Sequence, residues 1–186
     1  MVDATSWKAS VRELFGGGWT FAAVGPRTDA DWRRDASVVM RLRTPDPRGW
    51  TMVNFAPEDS AGGSGRGTEP FLPWSPGELG GALFEIKPES AAQLLVALKG
   101  EWFQAANIPD FAQREEALFR AAREILARFG SEPACWTNRT AARGRPDADL
   151  LNAEAEFACL TGYTADCGLV VVSELEIGVF WAFFED

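Results

Sequence analysis

The strongest constraint on the fold of this chain is a pair of apolar runs near the end of its sequence. Residues 168–173 read GLVVVS, and residues 176–184 read EIGVFWAFF. In the second run every second side chain from Ile177 to Phe183 points to one face of a strand, and every second side chain from Phe180 to Phe184 points to the other. All of these side chains are apolar, so a strand here is apolar on both faces. A strand of this kind lies inside a covered sheet and not at an exposed edge. We therefore predict a hairpin of two buried strands that turns at Glu174-Leu175.

Other segments predict a mixture of helices and short strands. Apolar spacing and terminal Pro or Gly residues predict helices at about 6–15, 88–99 and 111–129. Alternating patterns predict strands at Trp19–Val24, Ser37–Arg43, Trp50–Ala56, Ala82–Lys87 and Glu156–Leu160, the first three forming an antiparallel meander. The predicted class is α+β: a single domain with a mainly antiparallel sheet packed by two or three helices.

Two irregular segments interrupt this pattern. Residues 57–80 predict a long loop with a mobile Gly-rich tip, GGSGRG, and residues 137–149 predict a polar linker. The Gly-rich tip has neither the ending of a phosphate-binding P-loop nor the spacing of a dinucleotide-binding turn. At 186 residues the chain is most simply one domain that spans the whole sequence.

Negative charge is concentrated in the last forty residues. The net charge is −9, and residues 147–186 contain nine acidic side chains and no basic one. An excess of one sign attracts oppositely charged partners and repels nucleic acid and anionic membranes. We therefore expect a basic protein as the partner, and neither nucleic acid nor a membrane. The alternative is an acidic face that serves only solubility.

The residue types exclude several kinds of chemistry. The chain has no histidine, which removes the Ser-His-Asp and Cys-His arrangements and the commonest zinc ligand. Its three cysteines, Cys135, Cys159 and Cys167, form no C-x-x-C pair and are typical of reduced thiols. The first residues lack a secretory signal, and the apolar runs are too short to span a membrane. We expect a cytoplasmic protein without a cofactor or metal.

Two catalytic arrangements stay open. Cys167 is the best nucleophile in the sequence and is predicted to lie in a turn, although the adjacent Asp166 disfavours its thiolate. Carboxylate pairs such as Glu154 and Glu156 are the other alternative, because glycosidases and metal-dependent phosphoryl-transfer enzymes use paired acids.

The leading hypothesis is a protein-binding domain without catalytic activity. One α+β domain, no histidine and concentrated acidic charge are similar to small acidic bacterial proteins that neutralise a toxin or inhibit an enzyme, and such inhibitors match a basic cleft with acids. An enzyme and a homodimeric structural subunit with a tryptophan-rich interface are the alternatives. Trp74 or Tyr163 would be the anchor. The predicted contact residues are Asp147, Asp149, Glu154, Glu156, Tyr163, Asp166, Glu174, Glu176 and Trp74.

Overall fold

The computed structural model describes residues 2–53, 70–154 and 156–184. These residues form an α+β fold, as the sequence predicts. The helices in them are α1 Ala4–Phe15, α2 Trp32–Met40, α3 Pro76–Ala82, α4 Pro88–Ala97 and α5 Phe111–Ala127. The strands are β1 Thr20–Pro26, β2 Phe84–Ile86, β3 Ala134–Thr137, β4 Ala165–Val172 and β5 Glu176–Phe184.

The five strands make one antiparallel sheet in the order β1-β5-β4-β3-β2. Strands β4 and β5 form the predicted hairpin, in which Val172 pairs with Ile177 and Ala165 pairs with Phe184. Strand β5 lies between β1 and β4, which confirms that the most apolar run of the sequence is a central strand.

Each face of the sheet is covered by its own apolar core. Helices α1, α4 and α5 cover one face, where Phe180 and Ala182 of β5 are buried. Helix α2, Leu79 of α3 and residues around Phe71 and Leu160 cover the other face, where Val179 and Trp181 are buried. The alternation read from the sequence therefore assigns the residues of β5 to the two faces correctly.

Local signals explain where the helices begin. Asp3 caps α1 by accepting hydrogen bonds from the backbone amides of Thr5 and Ser6 at 2.7 and 3.0 Å. Ser75 and Glu78 form a reciprocal capping box at the start of α3. Helix α3 occupies the end of the predicted loop 57–80, so a loop is wrong for its residues from 76 onward. Residues 57–69 of that loop lie outside the described residues.

Three of the strand predictions require correction. Residues 32–40 form α2, capped by Asp31, because the buried Ala36, Val39 and Met40 follow helical spacing. The predicted strand Ser37–Arg43 and the meander are therefore wrong. Residues 50–53 form no strand, and residues 54–56 lie outside the described part. The stretch 156–160 makes only an isolated bridge, between Phe157 and Arg139.

Strand β3 was not predicted, and its last residue begins the predicted polar linker 137–149. This segment is less exposed than a linker, because Thr137, Asn138 and Arg139 at its start are fully buried. No helix within the described ranges is long and apolar enough to cross a membrane.

Candidate functional site

The described acids of the last forty residues occupy separate parts of the fold. Asp147 and Asp149 are exposed beside α4, where the hydroxyl of Ser90 donates to the carbonyl of Ala148 at 2.8 Å. Glu154 and Glu156 are exposed on the chain that leads to the start of β4. Glu174 is exposed in the turn between β4 and β5, at the opposite end of the sheet. The eight residues of β4 place these two ends about 26 Å apart.

Asp166 lies inside the protein and not on its surface. Its carboxylate is fully buried in β4 and accepts hydrogen bonds from the backbone amides of Leu160 and Thr161, each at 2.9 Å. It also accepts the hydroxyl of Thr161 at 2.7 Å and the indole N–H of Trp181 at 2.9 Å. The amide of Asn138 completes this set at 3.2 Å. A buried carboxylate is stable in a protein when its oxygens are hydrogen-bonded in this way.

Two further buried side chains bind the irregular chain between β3 and β4. The amide of Asn138 donates to the carbonyl of Ala158 at 3.0 Å, and its oxygen accepts the backbone amide of Gly168 at 3.0 Å. The guanidinium of Arg139 donates to the carbonyls of Leu150 at 3.1 Å and Ala153 at 2.5 Å. Burial lowers the pKa of Arg139. These bonds fix a stretch of backbone that has little regular secondary structure.

Aromatic and aliphatic side chains flank the same stretch. The carbonyl of Leu160 accepts the backbone amide of Leu72 at 3.0 Å and the indole N–H of Trp74 at 2.9 Å. Tyr163 is half-buried, with its ring 5.5 Å from that of Trp19. Leu72 is 49% exposed and Trp74 is half-buried. We use the name acidic-aromatic surface for residues that belong to the chain before β4 or bond to its Leu160: Leu72, Trp74, Glu154, Glu156 and Tyr163.

Glu176 is buried in a second ionic cluster at the other end of the sheet. It accepts hydrogen bonds from Arg48 at 2.9 Å and from Arg128 at 3.1 Å. Asp46 binds the same Arg128 through two bonds of 3.0 and 2.6 Å. The Arg128 guanidinium lies 4.7 Å from the ring centroid of Trp7. Burial alone would lower the pKa of Arg128, but the two carboxylates raise it above its ordinary value. This cluster joins the end of α5 to β5.

Cys167 lies in the middle of the sheet, so its predicted position in a turn is wrong. Its side chain is fully buried in β4, and burial raises the pKa of this thiol to about 12. A thiol in this environment stays protonated near neutral pH and is a poor nucleophile. Cys159 is classed as exposed. Partial burial of its thiol raises the pKa of Cys159, and the nearby Asp166 raises it further.

The acids within residues 2–53, 70–154 and 156–184 form no metal site. Among the described residues, no group of three or more Cys, Asp or Glu side chains could hold a metal ion. Asp149 instead caps its own turn: its carboxylate accepts the side-chain amide of Asn152 at 2.8 Å. This bond lowers the pKa of Asp149, so the carboxylate is charged at neutral pH.

Comparison of the chain with protein-family models, with curated proteins and with solved structures finds no match.

Sequence reasoning missed several residues that shape the acidic-aromatic surface. Asn138 and Arg139 were read as part of a polar linker, and Trp19 and Leu72 were not assigned to a site. The signal in the sequence is the position of Asn138 and Arg139 directly after the short segment ACWT, which forms β3. A polar residue that follows a buried strand is well placed to bind the next chain segment.

Proposed function

We propose that this chain is a protein-binding domain of the inhibitor or immunity type, which captures a basic protein through the acidic-aromatic surface. The observation that supports this function is an irregular segment, described at 138–154 and 156–164, whose backbone accepts hydrogen bonds from buried side chains and whose acids are exposed. Asp166, Asn138 and Arg139 hold its backbone from beneath by the hydrogen bonds described above. Its exposed side chains include the two carboxylates Glu154 and Glu156.

Rigidity matters because association costs conformational entropy. A loop that is ordered before binding loses less freedom when the partner arrives, so more of the contact energy appears as affinity. Binding residues are commonly carried on irregular segments that a rigid scaffold positions. The buried polar residues beneath this segment provide such a scaffold.

The composition of the surface fits a protein partner. Interfaces combine apolar and aromatic contacts with a charged, solvated rim, and aromatic anchors contribute much of the binding energy. Leu72, Trp74 and Tyr163 supply the apolar part, and Glu154 and Glu156 supply the charge. Carboxylates favour a partner rich in lysine and arginine, and they speed its capture at low salt.

Asp166 and Glu176 take no direct part in this proposal, because both are buried and bound to groups of the same chain. Glu174 lies at the opposite end of the sheet, and Asp147 and Asp149 lie beside α4. The proposed contact is therefore smaller than the full set of acids that the sequence suggested.

The test is capture of partners from the source organism on the immobilised protein, at low and at moderate salt, with mass spectrometry of the retained proteins. One basic protein that is retained at low salt and released at moderate salt agrees with the proposal. A retained protein that is acidic, or whose binding is insensitive to salt, contradicts it. Size-exclusion chromatography of the protein alone tests the alternative of a homodimer.

A further inference from the structure

A cavity lies beside the end of β5. It has a volume of about 360 Å³ and opens between the α1–β1 turn at residues 16–18 and the connection from α4 to α5. Its lining includes the aromatic residues Phe15, Trp102, Phe103 and Phe184. The volume lies in the range of about 300–1,000 Å³ that is usual for small-molecule pockets.

Two cationic side chains line this cavity, and both donate hydrogen bonds to Glu13. Arg114 Nη2 binds the carboxylate of Glu13 at 2.6 Å, whereas the amine of Lys99 donates to the backbone carbonyl of Glu13. Among the residues that the structure describes, Nε and Nη1 of Arg114 have no hydrogen-bond partner. Glu101, the acid on the lining, is exposed to solvent, whereas Lys99 is partly buried. The donors available to a ligand are therefore mainly cationic.

Part of the cavity lining has an unusual backbone conformation. Trp102 and Phe103 are consecutive residues with φ of 55° and 56°, in the left-handed region that bulky residues rarely adopt. The ring of Trp102 packs on that of Phe184, with centroids 4.1 Å apart. Conformations of this kind are often retained where a protein holds a ligand. Here the backbone presents a flat, 37% exposed indole at the cavity.

We propose that this cavity binds a small organic acid with a flat apolar body. Its carboxylate bonds to Nε and Nη1 of Arg114 and to Lys99, and its apolar body packs on the indole of Trp102. Paired donors on a guanidinium suit a carboxylate because both are planar. The cavity prefers an anion, unlike the acidic-aromatic surface, so this proposal is independent of the proposed protein partner.

The charge requirement can be tested on the unaltered protein with two matched probes. Calorimetric titration and tryptophan fluorescence compare 3-phenylpropionate with its neutral amide, 3-phenylpropanamide. We expect saturable binding of the acid and binding of the amide that is at least about tenfold weaker, because a bidentate charge-assisted contact is lost. Equal binding of the two probes, or no saturable binding of the acid at millimolar concentrations, overturns the proposal.

Variants locate the site. Arg114→Gln removes the guanidinium and weakens binding of 3-phenylpropionate. Lys87→Gln changes an exposed lysine outside the cavity and leaves this binding unaltered. Trp102→Gly removes the indole while favouring the left-handed backbone, so the fold is kept and binding weakens. If the acid binds both the Arg114 and the Trp102 variants as tightly as the original protein, it binds elsewhere and the proposal is wrong.

Discussion

Thr161 donates both its backbone amide and its hydroxyl to the same oxygen of Asp166, at 2.9 and 2.7 Å. Asp166, which directly precedes Cys167, is therefore an internal anchor for the chain before β4. Its hydrogen bonds hold the backbone at Leu160 and Thr161, next to the acidic-aromatic surface.

Asp166→Asn tests this anchoring. In the original protein the donors face two carboxylate oxygens. In the variant an N–H₂ group replaces one of these oxygens, so several buried hydrogen bonds are lost. We expect the free energy of unfolding to fall by about 3 kcal/mol. Urea denaturation measures it. Asp147→Asn, at an exposed position, should change it by no more than about 0.5 kcal/mol. Equal effects of the two variants would show that Asp166 is not an anchor.

Gly168→Ala tests the close packing of β4 on β5. A Cβ at residue 168 would lie 2.2 Å from ring atoms of Trp181, whose indole also binds Asp166. We expect a loss of about 2–3 kcal/mol of stability, because the sheet has no room to move the ring. The matched variant is Gly77→Ala in α3, where a Cβ meets nothing within 4 Å. Thermal unfolding should show no loss for Gly77→Ala, and a tolerated Gly168→Ala would refute the packing.

The sequence predicted the centre of the fold better than its periphery. The β4–β5 hairpin was predictable because a strand that is apolar on both faces has few places to lie. Helices α1, α4 and α5 were predictable from apolar spacing and terminal residues. Helix α2 was misread because Val38, Met40 and Leu42 alternate as in a strand, whereas the Asp31 cap and the spacing of Ala36, Val39 and Met40 fit a helix.

The sequence does not show which of the predicted contact acids reach the surface. Charge composition indicates a surface for a basic partner, but it does not show which acids are exposed. Asp166 and Glu176 are paired with groups far away in sequence: Asn138 for Asp166, and Arg48 and Arg128 for Glu176. Such long-range pairs follow from the register of the sheet and the ends of helices. They are not visible in the spacing of charged residues along the chain.

Acid should weaken the fold through Asp46. Burial alone would raise the pKa of Asp46, but hydrogen bonds and the charge of Arg128 hold it below its ordinary value of 3.8. A carboxyl group whose pKa is lower in the folded state binds fewer protons there than when unfolded. It therefore stabilises the fold above its unfolded pKa, and this stabilisation is lost as pH falls through the folded pKa.

We accordingly expect the free energy of unfolding to fall when the pH drops below about 4. Asp46→Asn should be less stable than the original protein at pH 7 and should lose less further stability in acid. Chemical denaturation at a series of pH values measures both. A variant that follows the same pH curve as the original protein would contradict this role of Asp46.

Leu72→Ser tests the apolar part of the acidic-aromatic surface. The side chain is 49% exposed, so stability should change by less than about 1 kcal/mol. Binding of the captured partner should weaken, because an apolar contact at the interface is lost. Leu175→Ser is the control: this side chain is 76% exposed in the β4–β5 turn, at the opposite end of the sheet. Equal binding by both variants would exclude Leu72 from the contact.

The most direct test of the protein-binding function compares two charge-matched double variants in the capture experiment. Glu154→Gln with Glu156→Gln removes two negative charges from the acidic-aromatic surface. Glu115→Gln with Glu116→Gln removes two from the exposed side of α5. We predict that the first variant retains much less of the salt-sensitive basic partner and associates with it more slowly, while the second binds as the original protein does. Equal retention by the two variants would contradict the assignment of this surface.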